Sequence, residues 1–148
     1  MITFQVESLA SWAKDLEPLA PLHYKELSLD GFKPLLKTDK YLEFENMGIL
    51  NIITARDDGK MIGYYFVAII PHLHYAEAGL MGFTDMYFLH PEYRKGTIGI
   101  RFIQFVEQVL KGKGAVKIYV SCKVHRDLQP FWEGCGYRFS DKMFTKLL

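Results

Sequence analysis

The sequence predicts an α/β (α+β) fold, a mixed sheet covered by helices, and three stretches carry that reading. "ILNIITAR" and "MIGYYFVAII" flank the compact turn signal "DDGK", which makes Ile49–Arg56 and Met61–Ile70 an antiparallel hairpin. "MGFTDMYFLH", a helical pattern and "AVKIYVSC" follow as strand, helix and strand, with hairpins expected on either side. The closing "YRFSDKMFTKLL" alternates well enough to supply one or two final strands.

From the start of the chain, "ITFQV" (Ile2–Val6) alternates as a short strand. Ser8 is placed to cap a helix through "LASWAKDLEPLA", with Leu9, Trp12, Ala13 and Leu16 at helical spacing. Pro18, Pro21 and Pro34 break up the segment from Glu17 to Lys37, and Asp39 is placed to cap a second helix ending at Gly48. After the hairpin and the loop "PHLHYAEAG", the strand Met81–His90 leads into a helix from Ile98 to Lys111. Phe102, Phe105, Val106, Val109 and Leu110 form its buried stripe; Arg101, Gln104, Glu107, Gln108 and Lys111 form its wet face. "GKG" (Gly112–Gly114) stops that helix, Ala115–Cys122 reads as a buried strand, and "HRDLQPFWEGCG" (His125–Gly136) as a short helix.

Neither repeats nor linkers divide residues 1–148, so one domain is expected. A net charge of +1 gives no electrostatic case for non-specific nucleic-acid binding. Runs such as "YYFVAII" fall far short of a membrane span, and "MITFQVESLA" shows no signal-peptide pattern, so cytoplasm is the default compartment. Cys122 and Cys135 make neither a disulfide framework nor a zinc pattern, and both are expected as buried structural thiols. His72 and His74 lack acidic or cysteine ligands at a characteristic spacing, so they are expected to line a loop rather than hold a metal.

One junction points to a ligand. In "FLHPEYRKGTIGIRFIQFVEQVL" an apolar strand ends at His90-Pro91, and flexible, positively charged backbone precedes a long helix. A helix start presents unpaired N–H groups and the positive end of the peptide dipole. Gly96 and Gly99 let backbone approach an anion, and Arg94, Lys95 and Arg101 add charge, so a ligand with one or two phosphates suits the place.

"YFLHPEYRKGTIGIRFIQFVEQVLKGKG" resembles the acetyl-CoA-binding core of the GNAT superfamily of N-acetyltransferases. Leu89 stands before His90-Pro91, Arg94 opens the pyrophosphate loop and Gly99 matches its final glycine, while "FWEGCGY" (Phe131–Tyr137) resembles the family's late-helix ending. The pattern is also similar to small GNAT proteins encoded by phages and prophages. The resemblance implies a mostly antiparallel sheet with a central, splayed parallel strand pair, flanked by helices. It implies acetyl-CoA as cofactor, with pantetheine pairing along Tyr87, Phe88 and Leu89. Arg94 and the loop Lys95, Gly96, Thr97, Ile98, Gly99 and Ile100 would then hold the pyrophosphate. Thr97 departs from the usual first glycine of that loop. Trp132 departs from the tyrosine with which many relatives protonate the departing thiolate.

The implied reaction is direct attack of an amine on the thioester, which needs a proton acceptor near the strand end. Alternation puts Asp85 on one face with Tyr87 and Leu89, where it would act as base, pair with a basic residue or line the substrate groove. Glu77 could reach the same mouth, and His125 could relay a proton, although helix capping around Asp127 is another role for that segment. The acceptor is an amine on a small molecule or protein, set by segments near Leu16–Gly48 and Pro71–Gly79, and a homodimer is an open assembly state. The rival reading, a GNAT-fold binding or inhibitor protein with weak or no catalysis, rests on Thr97 and Trp132.

Overall fold

The structure is a computed structural model that describes residues 1–27 and 36–148. Its sheet runs β1-β2-β3-β4-β5, with β1 (Ile2–Val6), β2 (Leu50–Asp57), β3 (Lys60–Pro71), β4 (Leu80–Leu89) and β5 (Ala115–Tyr119). The first four are antiparallel neighbours, and β5 joins β4 in parallel, so the sheet is mixed as expected. The "DDGK" turn closes the β2–β3 hairpin with Asp58 and Gly59 at φ of 46° and 83°. Two positive φ angles match the hairpin turn whose twist suits the flanking strands.

Alternation along β2 and β3 divides their side chains between two cores. Ile53, Tyr65 and Val67 pack with Phe102, Ile103, Val106 and Leu110 of α4 (Ile98–Gly112). Ile52, Tyr64 and Phe66 face the other way, onto Leu9, Trp12 and Leu16 of α1 (Leu9–Leu16). Strands buried on both faces read as continuous apolar runs, which is why "YYFVAII" shows no polar alternation. Each large side chain buried this way contributes about 1.5–3 kcal/mol relative to exposure.

Several local expectations change. Helix α1 stops at Leu16 and leaves Ala13 exposed. Ser8 sits at its N-cap without a side-chain capping bond; instead the Glu45 carboxylate of α3 (Thr38–Asn46) accepts from the Leu9 amide at 3.1 Å. Asp39 lies in the first turn of α3, whose N-cap is Lys37. A further helix, α2 (Ala20–Tyr24), forms despite Pro21, because that proline falls at the start, where its missing N–H has no partner to lose. The expectation for Pro34 falls outside the described residues. In α4, Phe105 and Val109 are only half-buried, at the edge of the stripe.

At the other end, β5 stops at Tyr119 rather than Cys122, because its pairing with β4 stops there. The final strands do not form: residues 137–148 carry no strand, and from Arg138 onward every residue is exposed. Alternation marks a face, but a strand also requires a neighbouring edge to pair with. Among the described residues the tail pairs with no strand. A short helix, α5 (Gln129–Gly134), precedes it.

Candidate active site

β4 and β5 pair only from Leu80↔Ala115 to Phe83↔Tyr119. β4 then runs on to Leu89 along β3, while no strand among the described residues lies beside its other edge. A cavity of about 420 Å³ opens in this gap. Tyr65, Phe102 and Ile103 line its apolar side, and Thr84–Leu89 of β4 and the residues Ser121–Lys123 after β5 form its walls. His23, Glu26 and Leu27, at the end of α2 and just beyond it, also border it, together with Arg94, Gly99, Arg126, Leu128 and Phe131.

A bulge sets the polarity of the mouth. Phe66 pairs with Met86 while Val67 pairs with Thr84, which leaves Asp85 as the extra residue of β4. Tyr87 and Leu89 therefore face the α4 core, whereas Met86 and Phe88 face the α1 core. Asp85 goes with the second group: the Tyr41 hydroxyl of α3 donates to its Oδ2 at 2.5 Å. The expected common face for Asp85, Tyr87 and Leu89 is thus corrected, because one inserted residue reverses the alternation. Asp85 nevertheless lines the cavity. Burial, and then the Asp85 carboxylate, raise the Tyr41 phenol above its ordinary pKa.

Of the other residues expected at the site, Tyr87, Phe88, Leu89, Arg94 and Gly99 line the cavity, whereas Lys95, Gly96, Thr97, Ile98 and Ile100 lie along the adjoining loop and helix start. Gly96 takes the left-handed turn at φ 78°, so Thr97 keeps an ordinary φ of −101° as N-cap of α4. Its Cβ needs no glycine backbone. A Cβ on Gly99 would touch the Phe131 ring at 3.4 Å.

Glu77 lies on an exposed 3₁₀ turn (Ala76–Ala78) away from the cavity walls. His125 is also exposed and outside the walls, with Nε2 3.3 Å from the Glu26 carbonyl oxygen. Asp127 does cap, accepting from the Gln129 amide at 2.8 Å. Cys122 is not a buried thiol: it is exposed on the cavity wall, 3.9 Å from Asp127 Oδ1. Cys135 is half-buried, and burial raises its pKa. Trp132 packs in the α4-side core, edge-on to Tyr87 at 5.1 Å, and does not line the cavity. Its buried Nε1 has no hydrogen-bond partner among the described residues.

Four residues at the site, His23, Glu26, Tyr41 and Arg126, went unread in the sequence. Arg94 donates to the Glu26 carboxylate at 2.8 Å and to the Leu89 carbonyl at 2.7 Å, and Arg126 pairs with the same carboxylate. Glu26 thus holds two guanidinium groups at the cavity. His23 is 4% exposed, shares a 2.6 Å hydrogen bond between Nδ1 and the Tyr64 hydroxyl, and packs against Phe88. Burial first, then Arg126 and Arg94, push its pKa down to about 4, so it is neutral near pH 7. Arg126 adjoins the two residues already singled out in "HRD". His23, Glu26 and Tyr41 carried no signal, since no motif or period marks a residue that reaches the site from another element.

A cleft with an apolar side, an open strand edge, arginines and a nearby helix start suits an extended ligand with an anionic end. A family model described as the acetyltransferase (GNAT) family matches residues 9–137. No curated protein matches the chain significantly. Among solved structures, glucosamine-6-phosphate N-acetyltransferase from Arabidopsis thaliana is similar at TM-score 0.73 and 18% identity, over 99% of this chain and 98% of that one. An aminoglycoside acetyltransferase from an uncultured soil metagenomic sample, in complex with sisomicin, gives TM-score 0.78 at 12% identity, over 99% and 96%. A predicted acetyltransferase from Clostridium acetobutylicum, solved with acetyl-CoA, gives TM-score 0.70 at 18% identity, over 99% and 96%. These likenesses extend the fold along the chain, and the family model carries the assignment: this chain belongs to the acetyltransferase (GNAT) family, acyltransferases that use acetyl-CoA.

Proposed function

We propose that the enzyme acetylates the amine of a small molecule or protein by direct attack, with the acetyl-CoA arm lying in the β4–β5 cleft. The observation that carries this reading is the unpaired edge of β4, which runs from the Asp85 bulge to Leu89 beside the start of α4. The residues present fit the cofactor. The backbone of Tyr87, Phe88 and Leu89 offers an edge for an extended amide chain. Arg94 and the amides from Lys95 to Ile100 offer a phosphate cradle, and Gly96 has nothing within 4 Å of the position a Cβ would take. Bound there, acetyl-CoA supplies the thioester carbonyl that an amine attacks.

Asp85 is the base in this reading. It lies at the bulge on the cavity wall, and Tyr41 fixes one carboxylate oxygen, leaving the other to take the amine's proton directly or through water. Glu77 and His125 lie off the walls, which places them behind Asp85. Trp132 donates no proton, because an indole N–H is a far weaker acid than a phenol and here it is buried. A thiol with an ordinary pKa of about 8.5 is a competent leaving group without such a donor.

The test is thiol release from acetyl-CoA with a panel of amines that includes amino sugars, aminoglycosides and peptide N-termini. Acetylation of at least one amine, confirmed by product mass, is expected. Acetyl-CoA binding with no acceptor consumed, and thioester loss only at the buffer rate, would reject the catalytic reading and leave a cofactor-binding protein.

A further inference from the structure

A row of rings begins where the cavity ends, and neither core accounts for it. Phe83 and Tyr119 are in register across β4 and β5, with ring centroids 4.9 Å apart and planes 8° apart. His72 continues the row 6.1 Å from Phe83, and Tyr75 lies 4.9 Å from His72. None of the four belongs to either hydrophobic cluster of the described residues. Phe83, Tyr119 and His72 are half-buried, and Tyr75 is 61% exposed. Large rings left half-exposed side by side form the kind of surface patch that receives a ligand.

The row lies on the same face of the sheet as Asp85. Thr84 shares a 2.6 Å hydrogen bond with the Tyr65 hydroxyl and so faces the α4 core, which turns Phe83 to the opposite face. The bulge returns Asp85 to that opposite face, where Tyr41 holds it. Thr84 and Asp85 are on the cavity wall and Phe83 is not. Read from the start of α4, the order along β4 is Leu89, Tyr87, Asp85 and then Phe83. In the function proposed above the acyl end of the cofactor arm lies at Asp85. An acceptor that meets it there extends over Phe83 and Tyr119.

We infer, resting on that reading, that the acceptor is an amine joined by a short spacer to an aromatic ring, with its nitrogen at Asp85 and its ring against Phe83 and Tyr119. Two residues of strand separate the carboxylate from the first ring by roughly 7 Å, which a spacer of about two carbons and the ring at its end can cover. The N–C bond forms as the C–S bond breaks, the nitrogen's proton passes to Asp85, and a proton from water goes to the departing sulfur. Charge agrees with a single amine. Lys117 Nζ stands over the Tyr119 ring at 4.3 Å, which puts a positive charge at the far end of the row. That charge disfavours acceptors carrying several ammonium groups.

Phenethylamine should be acetylated with kcat/KM about 10–100-fold above that of ethylamine, the gain expected from covering one ring, and above that of an aminoglycoside. The peptide Phe-Gly-Gly presents the same amine and ring at a chain terminus, so its rate against phenethylamine tells a peptide source from a small molecule. Phe83→Leu and Tyr119→Leu change half-exposed rings outside both cores. Each should reduce the preference for phenethylamine about tenfold, chiefly through KM, with acetyl-CoA binding retained in calorimetry. Titration of phenethylamine into protein saturated with CoA gives the same comparison without turnover. Equal kcat/KM for phenethylamine and ethylamine, a preference for the aminoglycoside, or a preference untouched by both variants would overturn the inference while leaving the proposed function in place. Absence of acetyl-CoA binding would overturn the proposed function and this inference with it.

Discussion

Asp85 gains its position from one inserted residue and its orientation from a tyrosine on another element. The bulge turns it toward Tyr41, and the 2.5 Å bond from that hydroxyl fixes the carboxylate. If Asp85 takes the proton of the amine, Asp85→Asn should lower turnover by about 10²–10⁴-fold near neutral pH. Acetyl-CoA affinity should stay the same in calorimetry, and the loss should shrink at high pH, where the amine deprotonates in solution. His23 supplies a different test. Its folded pKa of about 4 lies below the ordinary 6.5, so between those values the unfolded chain binds a proton that the folded chain refuses. The stability linked to this group is fully present above pH 6.5 and is lost as pH falls toward 4. Urea unfolding should show wild-type protein losing about 2 kcal/mol between pH 7 and pH 5 from this source. His23→Gln should lack that loss, and equal pH slopes in the two proteins would assign the acid sensitivity elsewhere.

Backbone proximity sets the limits at the scale of elements. A Cβ on Gly63 in β3 would lie 2.7 Å from the Phe88 carbonyl oxygen of β4, inside any tolerable contact. Gly63→Ala should therefore push apart the two strands next to the cleft and cost about 1–3 kcal/mol, read as a lower melting temperature. Gly99 in the first turn of α4 has more room, with Phe131 at 3.4 Å, so the charge of a substituent matters more than its first carbon. Gly99→Asp should weaken acetyl-CoA binding more than it weakens folding, while Gly99→Ala should change both little. A negative charge at a helix start can itself be favourable. A loss of affinity in Gly99→Asp would thus come from repulsion of the phosphates, and unchanged affinity would move the phosphate site away from this loop.

For the whole molecule, the cleft joins elements that are distant in sequence. α2, β4, the start of α4, the segment after β5 and α5 all contribute to its walls. Glu26 ties two of them together through Arg94 and Arg126. A ligand that binds only this assembled state must stabilise it. Acetyl-CoA at about 100 times its Kd should add roughly 2.7 kcal/mol, or about 5–10 °C in melting temperature for a chain of this size. An unchanged melting curve and no binding heat would remove the cofactor from this cleft.

Local patterns in the sequence were enough for the strands of the hairpin, its two-residue turn, the start of α4 and the left-handed glycine before it. Each depends on neighbours in the chain: alternation, positive φ at Asp58 and Gly59, and the glycines around Thr97. What the tertiary structure alone decided is where side chains meet across the chain. The bulge that moved Asp85 to the other face arises from pairing with β3, and Glu45 caps α1 from another helix. His23 and Glu26 reach the cleft only because α2 packs beside it. The unpaired tail shows the same limit. Its alternation was read as one or two final strands, yet none forms among residues 137–148, because a strand exists only where an edge receives its hydrogen bonds, and that edge is a property of the assembled fold.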